Sequence, residues 1–160
     1  MVSYLYPAVK KNMKSFGVAA FLVVSMLADV RGQEAGDIAT ITLTRQTRAY
    51  FEEVVISRDS VHSVTENHRL PEQSKRYAAA VEPAEWTELI TSIGKVSLKD
   101  IDGLQSPTMN RARDAAVHST IEIGLKGGES VSHSFDDENP HPDLKPLLDA
   151  IDKFRLPDAR

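Results

Sequence analysis

The chain has 160 residues, of which 41% are apolar, and this size and composition suit one globular domain. Its formal net charge is −4, and an acidic domain without a basic cluster is a poor ligand for nucleic acid or for anionic lipid headgroups. The sequence contains no cysteine, so the fold must be stabilised by its core without disulfide bonds.

The first 32 residues have the pattern of a secretory signal peptide. Basic residues at 10–14 precede an apolar run at 16–28, and small residues follow up to Gly32. The run is shorter than the roughly 20 residues of a transmembrane helix; a retained anchor or a buried helix is the alternative. Cleavage near Gly32 would remove four basic residues and one acidic residue, leaving a domain at 33–160 with net charge −7. We therefore expect a secreted or periplasmic bacterial protein without membrane contact after cleavage.

Three consecutive strands are predicted at the start of this domain. Residues 38–45 alternate isoleucine and leucine with threonine, which is typical of a half-buried strand. Residues 50–57 are rich in β-branched side chains, and a tight turn leads into a third strand at 60–66. Strands joined by such short turns predict an antiparallel meander.

A polar stretch and a helix follow the meander. Residues 67–81 are predicted to form a surface loop, with at most a weak strand at 76–80. Pro83 suits the first position of a helix, and Gly94 suits its C-terminal cap. We interpret the single tryptophan as a core anchor on the apolar stripe of this helix, which consists of Trp86, Leu89, Ile90 and Ile93.

Residues 95–114 are irregular, and apolar residues occur at intervals along them. A segment of this length is either functional or a clip that packs by its spaced apolar side chains. The next stretch, 117–135, alternates on both sides of a glycine turn at 126–128, which predicts a β-hairpin. Pairing Leu125 with either Glu129 or Val131 puts the apolar residues of both strands on one face.

The last predicted element is an amphipathic helix near 143–151, whose apolar positions are Leu144, Leu147, Leu148 and Ile151. The element order is then βββ–α–ββ–α. This order predicts an α+β fold with an antiparallel sheet of about five strands and both helices packed on one face.

Candidate chemical groups are few. The five histidines include no short-spaced pair of the kind that zinc sites use, and we expect His133 to be a hydrogen-bonded histidine in the core or at its rim. The acidic run 136–139 lacks the alternating spacing of a calcium loop and is interpreted as a turn that caps the last helix. Asp114 beside Arg111 and Arg113 is interpreted as a salt bridge or turn anchor rather than as a catalytic carboxylate. No nucleophile motif occurs, so we expect no enzyme activity and no cofactor or metal.

Several segments resemble a known family: Ile38-x-x-Ile41-Thr42, the Trp86–Leu89 helix after a meander, Asp114-Ala115, Thr120–Ile123, Phe135–Asp137 and Pro142–Leu148. They and the element order are similar to emfourin, a small bacterial inhibitor of thermolysin-type metalloproteases, and to exported bacterial proteins of the same pattern. The resemblance implies this scaffold and docking on a secreted protease. The loop at 67–81 and the signal peptide depart from the family. The aligned positions are scaffold positions, so no inhibitory residue is carried over.

We therefore expect an exported, non-enzymatic binding module that docks a secreted protease or another envelope protein, as a monomer or weak dimer. Exposed loops on a rigid sheet commonly carry such contacts, which favours residues 67–81 and 105–113. The alternatives are a small-ligand or lipid-binding periplasmic protein, an envelope accessory protein, or an enzyme that uses His133 or Asp114. The candidate contact residues are Arg69, Arg76, Tyr77, Met109, Arg111 and Arg113.

Overall fold

The structure, a computed structural model, describes residues 36–94, 96–110 and 116–155. All of these residues belong to one compact unit of the chain, Glu34–Arg160. The predicted signal peptide and three residues of interest, Arg111, Arg113 and Asp114, lie outside the described residues.

Six antiparallel strands form one open sheet, in the order β4–β3–β2–β1–β5–β6. The first strand lies near the centre, because β2 pairs with one side of it and the hairpin strand β5 pairs with the other. The strands are β1 (Ile38–Gln46), β2 (Tyr50–Ser57), β3 (Ser60–Asn67), β4 (Lys75–Ala80), β5 (His118–Leu125) and β6 (Ser130–Asp136).

Two α-helices and four short 3₁₀ helices complete the described fold. Helix α1 (Pro83–Ser92) begins where the Glu82 N–H donates to the Glu85 carboxylate at 2.8 Å, and it is followed by Gly94 at φ +73°. This positive φ is the conformation that favours glycine after a helix. Helix α2 is Lys145–Ile151, and the 3₁₀ helices are Pro71–Gln73, Leu98–Gly103, Pro142–Leu144 and Asp152–Phe154.

One hydrophobic core lies between the sheet and the helices. Alternate residues of the central strands, such as Ile41 and Leu43 on β1, are fully buried, as are Leu89 of α1 and Leu148 of α2. The predicted anchor Trp86 is partly buried and packs against this core. Since the sheet and both helices share the core, the predicted α+β class is confirmed.

The hairpin adopts one of the two registers that its alternating pattern allows. Leu125 donates its N–H to the Glu129 carbonyl at 2.8 Å, and Gly128 has φ +87° at the turn. Ile121 then lies opposite His133, which places the apolar residues of both strands on the core side. The Leu125–Glu129 alternative is the one observed.

The predicted strand count was too low, because residues 75–80 form the strand β4 rather than a surface loop with a weak strand. Nearly all side chains of β4 are exposed, and only Ala79 packs partly against the core. A strand whose side chains are nearly all exposed needs no alternation of apolar and polar residues, so its sequence lacks the pattern by which strands are predicted. Its extended conformation is instead stabilised by continuous pairing with β3, from Lys75 opposite Thr65 to Ala80 opposite Ser60.

The irregular segment after α1 packs as a clip. Within the described residues 96–110, Leu98 and Ile101 are buried on the 3₁₀ helix, and Val96 and Leu104 pack partly against the core. The spaced apolar residues therefore hold this segment against the domain. This agrees with the predicted alternative in which the segment is a packing clip.

Candidate functional site

The two edges of the sheet differ in how their backbone groups are used. At the β6 edge, the Ser132 N–H donates to Asp102 Oδ1 at 2.6 Å. The buried carboxylate of Asp136 accepts from the Thr108 hydroxyl at 2.6 Å and from the Asn110 N–H at 2.7 Å. The segment 98–110 therefore packs along part of this edge, and covering an edge in this way is one means by which proteins block unwanted strand pairing.

The opposite edge, formed by β4, pairs with no other strand among the described residues. The Val81 N–H donates to the Asp59 carbonyl at 3.1 Å, just beyond the last strand pair. Hydrogen-bonded and non-hydrogen-bonded pairs alternate along antiparallel strands. The backbone groups of Arg76, Ala78 and Ala80 must therefore point away from β3, toward the open edge.

A compact turn leads into this edge. The Asn67 carboxamide oxygen accepts from the backbone N–H groups of Arg69 and Leu70, both at 3.0 Å. The Asn67 backbone N–H donates to the Ser74 hydroxyl at 3.1 Å, and its side-chain amide donates to Gln73 at 3.2 Å. Asparagine often closes turns in this way. The turn is therefore ordered, and it leaves Leu70 44% exposed.

Exposed side chains and a depression lie beside the β4 edge. Tyr77 is 45% exposed although its register places it opposite the buried Ser63. The depression has a volume of about 320 Å³ and is lined by His62, Ser63, Val64, Arg76, Tyr77 and Ala78. It can receive a side chain from a segment that lies along β4.

Basic residues surround the same edge of an otherwise acidic domain. Arg69 and Lys75 are exposed, and the Arg76 side chain is 81% exposed. The Arg76 guanidinium lies 3.9 Å from the Glu66 carboxylate, and an exposed ion pair at that distance contributes little. The exposed carboxylates of Glu66 and Glu72 lie in the same region, so these basic side chains can contact a partner's carboxylates without making the edge uniformly positive.

The structure separates the predicted contact residues. Arg69, Arg76 and Tyr77 lie together at the β4 edge, whereas Met109 belongs to the segment beside β6 and is 69% exposed. Across a six-stranded sheet with strands spaced by about 4.8 Å, these edges are roughly 24 Å apart. They therefore form two surfaces, and Arg111 and Arg113 lie outside the described residues.

Sequence reasoning missed Leu70 and the outward backbone groups of Ala78 and Ala80. An isolated leucine between polar turn residues was the available signal for an exposed apolar contact. No side-chain pattern could show the backbone groups, because their direction depends on the pairing of β4 with β3.

A groove of about 810 Å³ lies beside the β6 edge and is lined by Asp102, Gly103, Leu104, Gln105, Ser106, Met109, Ser130, Ser132, His133 and Ser134. Most of these side chains are hydroxyls, amides or carboxylates. A polar small molecule that forms hydrogen bonds would suit this lining.

A charged cluster, defined as Arg45, Glu52, Glu138, Asp152 and Arg155, closes one end of the core. Glu52 is fully buried and receives two hydrogen bonds from Arg155, at 2.7 and 2.8 Å. Arg45 Nη1 donates to Glu138 at 2.8 Å, and Arg155 Nη1 donates to Asp152 at 3.2 Å. Paired oppositely charged groups of this kind can be accommodated inside a protein. The cluster ties β1 and β2 to the end of the described chain.

Arg45 is the least satisfied member of the cluster. It is 3% exposed, and its Nε and Nη2 atoms are buried without a hydrogen-bond partner. Nη2 lies 3.6 Å from the Asp152 carboxylate, so its positive charge is still partly compensated.

The pKa values of Arg155, a member of the cluster, and of Tyr50, which lies beside it, are both shifted. Burial alone would lower the pKa of Arg155, but the hydrogen bonds and negative charge of Glu52 outweigh it, and that pKa is raised. Tyr50 lies on the same side of β2 as Glu52. Its burial, together with the nearby Glu52 carboxylate, raises the pKa of Tyr50 from 10.0 to about 12. Both groups therefore keep their protons to a higher pH in the folded protein than in the unfolded chain.

We expect the stability of this protein to fall between pH 10 and about pH 12 because of Tyr50. In this range the phenol is ionised in the unfolded chain but still protonated in the folded one, so the unfolded state binds fewer protons. Unfolding curves at about pH 9 and about pH 11.5 should show a smaller loss of stability for Tyr50→Phe than for the wild type. Equal losses would contradict the assignment.

The histidines do not form a metal site among the described residues, in which no group of three or more potential ligands occurs. His133 is 2% exposed and stacks on Phe135 with ring centroids 5.7 Å apart, while its Nε2 accepts from the His141 N–H at 3.0 Å. The prediction that His133 lies in the core is confirmed. Asp136 in the acidic run anchors the segment 98–110, and Glu138 pairs with Arg45.

No helix within residues 36–94, 96–110 and 116–155 is long and apolar enough to cross a membrane. Comparison with protein-family models, with curated proteins and with solved structures finds no match for this chain. The similarity to emfourin therefore stays a prediction, and the function of the chain has to be argued from the geometry of its surfaces.

Proposed function

We propose that this protein is an exported, non-enzymatic binding module that takes an extended segment of a protein partner onto the β4 edge. The observation that carries this proposal is the contrast between the two edges. The segment 98–110 packs along part of the β6 edge, whereas the backbone groups of Arg76, Ala78 and Ala80 point outward from β4.

Strand addition uses the features that surround β4. Main-chain hydrogen bonds to an exposed edge supply affinity, and pockets for alternate side chains supply specificity. The depression beside Arg76 and Ala78 offers such a pocket. Exposed Leu70 and Tyr77 add apolar contact area at one end of the strand.

The partner proposed here is a secreted or envelope protein whose docking segment is extended and carries carboxylates. Arg69, Lys75 and Arg76 would face those carboxylates, and charge complementarity of this kind raises association rates and selects partners. A secreted metalloprotease of the thermolysin type is one partner of this class, and the resemblance to emfourin supports it. Export itself rests on the signal-peptide pattern of residues 1–32.

The test compares Ala78→Pro with the wild type in capturing proteins from the secreted fraction of the source organism. Proline at 78 removes an outward N–H without removing a hydrogen bond to β3. We expect the wild type to capture a partner that Ala78→Pro does not capture. If the partner is a thermolysin-type protease, the wild type should also slow its reaction, and Ala78→Pro should not.

Ser130→Pro is the matched control, because the hairpin register points the Ser130 N–H outward at the opposite edge. Circular dichroism should show that both variants are folded. A partner retained equally by Ala78→Pro and the wild type would move the docking surface away from β4. Capture of no protein at all, with no protease slowed, would overturn the proposal.

The second candidate function is binding of a polar small ligand, and the groove beside β6 favours it. A ligand that binds the folded state raises the unfolding temperature by mass action. A panel of extracellular sugars and amino acids should then include at least one compound that raises the unfolding temperature of the wild type but not of Met109→Ala. No shift across the panel would argue against this candidate.

A further inference from the structure

We propose that two copies of this chain pair through their β4 strands, antiparallel, with Ala78 of one copy opposite Ala78 of the other. The inference depends on the same open edge on which the proposed function rests, but it needs no outside partner. A second copy fits this edge because the outward backbone groups of β4 and the sizes of its side chains are self-complementary.

The backbone groups favour one register. Arg76, Ala78 and Ala80 point outward, and a two-fold axis at Ala78 places Arg76 of each copy opposite Ala80 of the other. Each of the resulting pairs exchanges two hydrogen bonds, so every outward group of the three residues is used. A register with Tyr77 opposite Tyr77 would place Ala80 opposite Ser74, which lies before the strand. A register with Ala79 opposite Ala79 would place Arg76 opposite Glu82, which lies after the strand and whose N–H already donates to Glu85.

The side chains fit the same register. Lys75, Arg76 and Tyr77 form the first half of β4, and three alanines form the second half. Antiparallel pairing around Ala78 places Arg76 opposite Ala80 and Tyr77 opposite Ala79, so each large side chain lies across from a small one. Like charges directly opposite each other destabilise a sheet. Here the two Arg76 residues are separated by four positions along the strand, or about 13 Å.

The paired assembly would be a symmetric dimer with one continuous sheet. Residues that lie opposite each other in antiparallel strands share a face, so the helix-covered faces of both copies lie on the same side. Six-residue strands give a small interface, and small interfaces are associated with weak, concentration-dependent assembly. At low concentration the edge is therefore open to another protein.

The first test is sedimentation equilibrium of the purified chain, expressed with its own N-terminus so that processing occurs as in the cell. Over about 10 µM to about 1 mM, the range suited to a small interface, the average mass should rise from monomer toward dimer. Ala78→Lys places two ammonium groups opposite each other at the axis and should weaken dimerisation at least tenfold. Ser130→Lys puts the same charge on the same face at the opposite edge and should leave the dimer unchanged.

The second test reports the register, since the chain has no native cysteine. Hydrogen-bonded partners in antiparallel strands have Cα atoms about 5.5 Å apart, within the range that a disulfide spans. Ala78→Cys should therefore form a disulfide-linked dimer under mild oxidation faster than Tyr77→Cys does. Faster linkage of Tyr77→Cys would overturn the register.

A wild type that stays monomeric to about 1 mM, or a dimer that Ala78→Lys leaves intact, would overturn the inference. Because no partner is present in these experiments, their failure leaves the proposed capture of a partner by β4 standing. Failure of the capture experiment likewise leaves the dimer standing.

Discussion

Replacing Glu52 by alanine is expected to lower the free energy of unfolding by about 3–5 kcal/mol. The Glu52 carboxylate is fully buried and receives two hydrogen bonds from Arg155, which is itself 7% exposed. Its removal leaves the Arg155 guanidinium buried with only part of its compensating charge, from Asp152 and Glu138. Urea unfolding curves of the purified chain measure the difference.

The control is Glu88→Ala. Glu88 of α1 pairs with Lys153, which lies two residues before Arg155, but more than half of each of these two side chains is exposed. An exposed pair of this kind contributes about 0–1 kcal/mol. The double variant Glu52→Leu with Arg155→Met should recover part of the loss, since it removes both charges and fills their volume with apolar groups. If Glu52→Ala cost no more than Glu88→Ala, the pair would not be buried as described.

Replacing Asp136 by alanine is expected to cost about 3 kcal/mol and to release the segment 98–110 from the β6 edge. The buried Asp136 carboxylate accepts hydrogen bonds from the Thr108 hydroxyl and the Asn110 N–H. Hydrogen bonds to charged groups contribute about 1.5–3 kcal/mol each, and part of this is regained when the released donors reach water. Asp136→Asn keeps one acceptor oxygen and should cost less.

Limited proteolysis distinguishes release of the segment from a general loss of stability. In Asp136→Ala, cleavage within 98–110 should become faster than cleavage elsewhere, because a segment that is no longer held opens locally. Asp100→Ala is the control, since Asp100 is an exposed carboxylate on the 3₁₀ helix Leu98–Gly103, which is part of the segment 98–110. Unchanged cleavage in Asp136→Ala would show that the apolar residues Leu98 and Ile101 suffice to hold the segment. With the edge uncovered, Asp136→Ala should also aggregate more readily than Asp100→Ala.

The elements that bury one face could be predicted from the sequence alone. β1 shows this, because Ile41 and Leu43 alternate with threonines and are fully buried. The hairpin also shows it, since a slip by one residue would have turned serines toward the core. β4 could not be predicted as a full strand, because its side chains are mostly exposed.

The candidate site was predicted only in part. The loop at 67–81 predicts contacts by Arg69, Arg76 and Tyr77, and these residues lie beside the β4 edge. The loop at 105–113 predicts a contact by Met109, which lies at the other edge of the sheet. Side-chain type indicates exposure, but it does not indicate which exposed residues share a surface.

The sequence by itself determined the α+β class, most core positions and which residues of the hairpin face the core, because the periods of its apolar residues match those of half-buried strands and amphipathic helices. Only the tertiary structure decided which charges are paired and which edge of the sheet pairs with no further strand among the described residues. Glu52 and Arg155 are 103 positions apart in the chain. Asp136 accepts hydrogen bonds from Thr108 and Asn110, which precede it by 28 and 26 positions. Contacts of this kind depend on the order of strands in space, and no local pattern in the sequence carries that order.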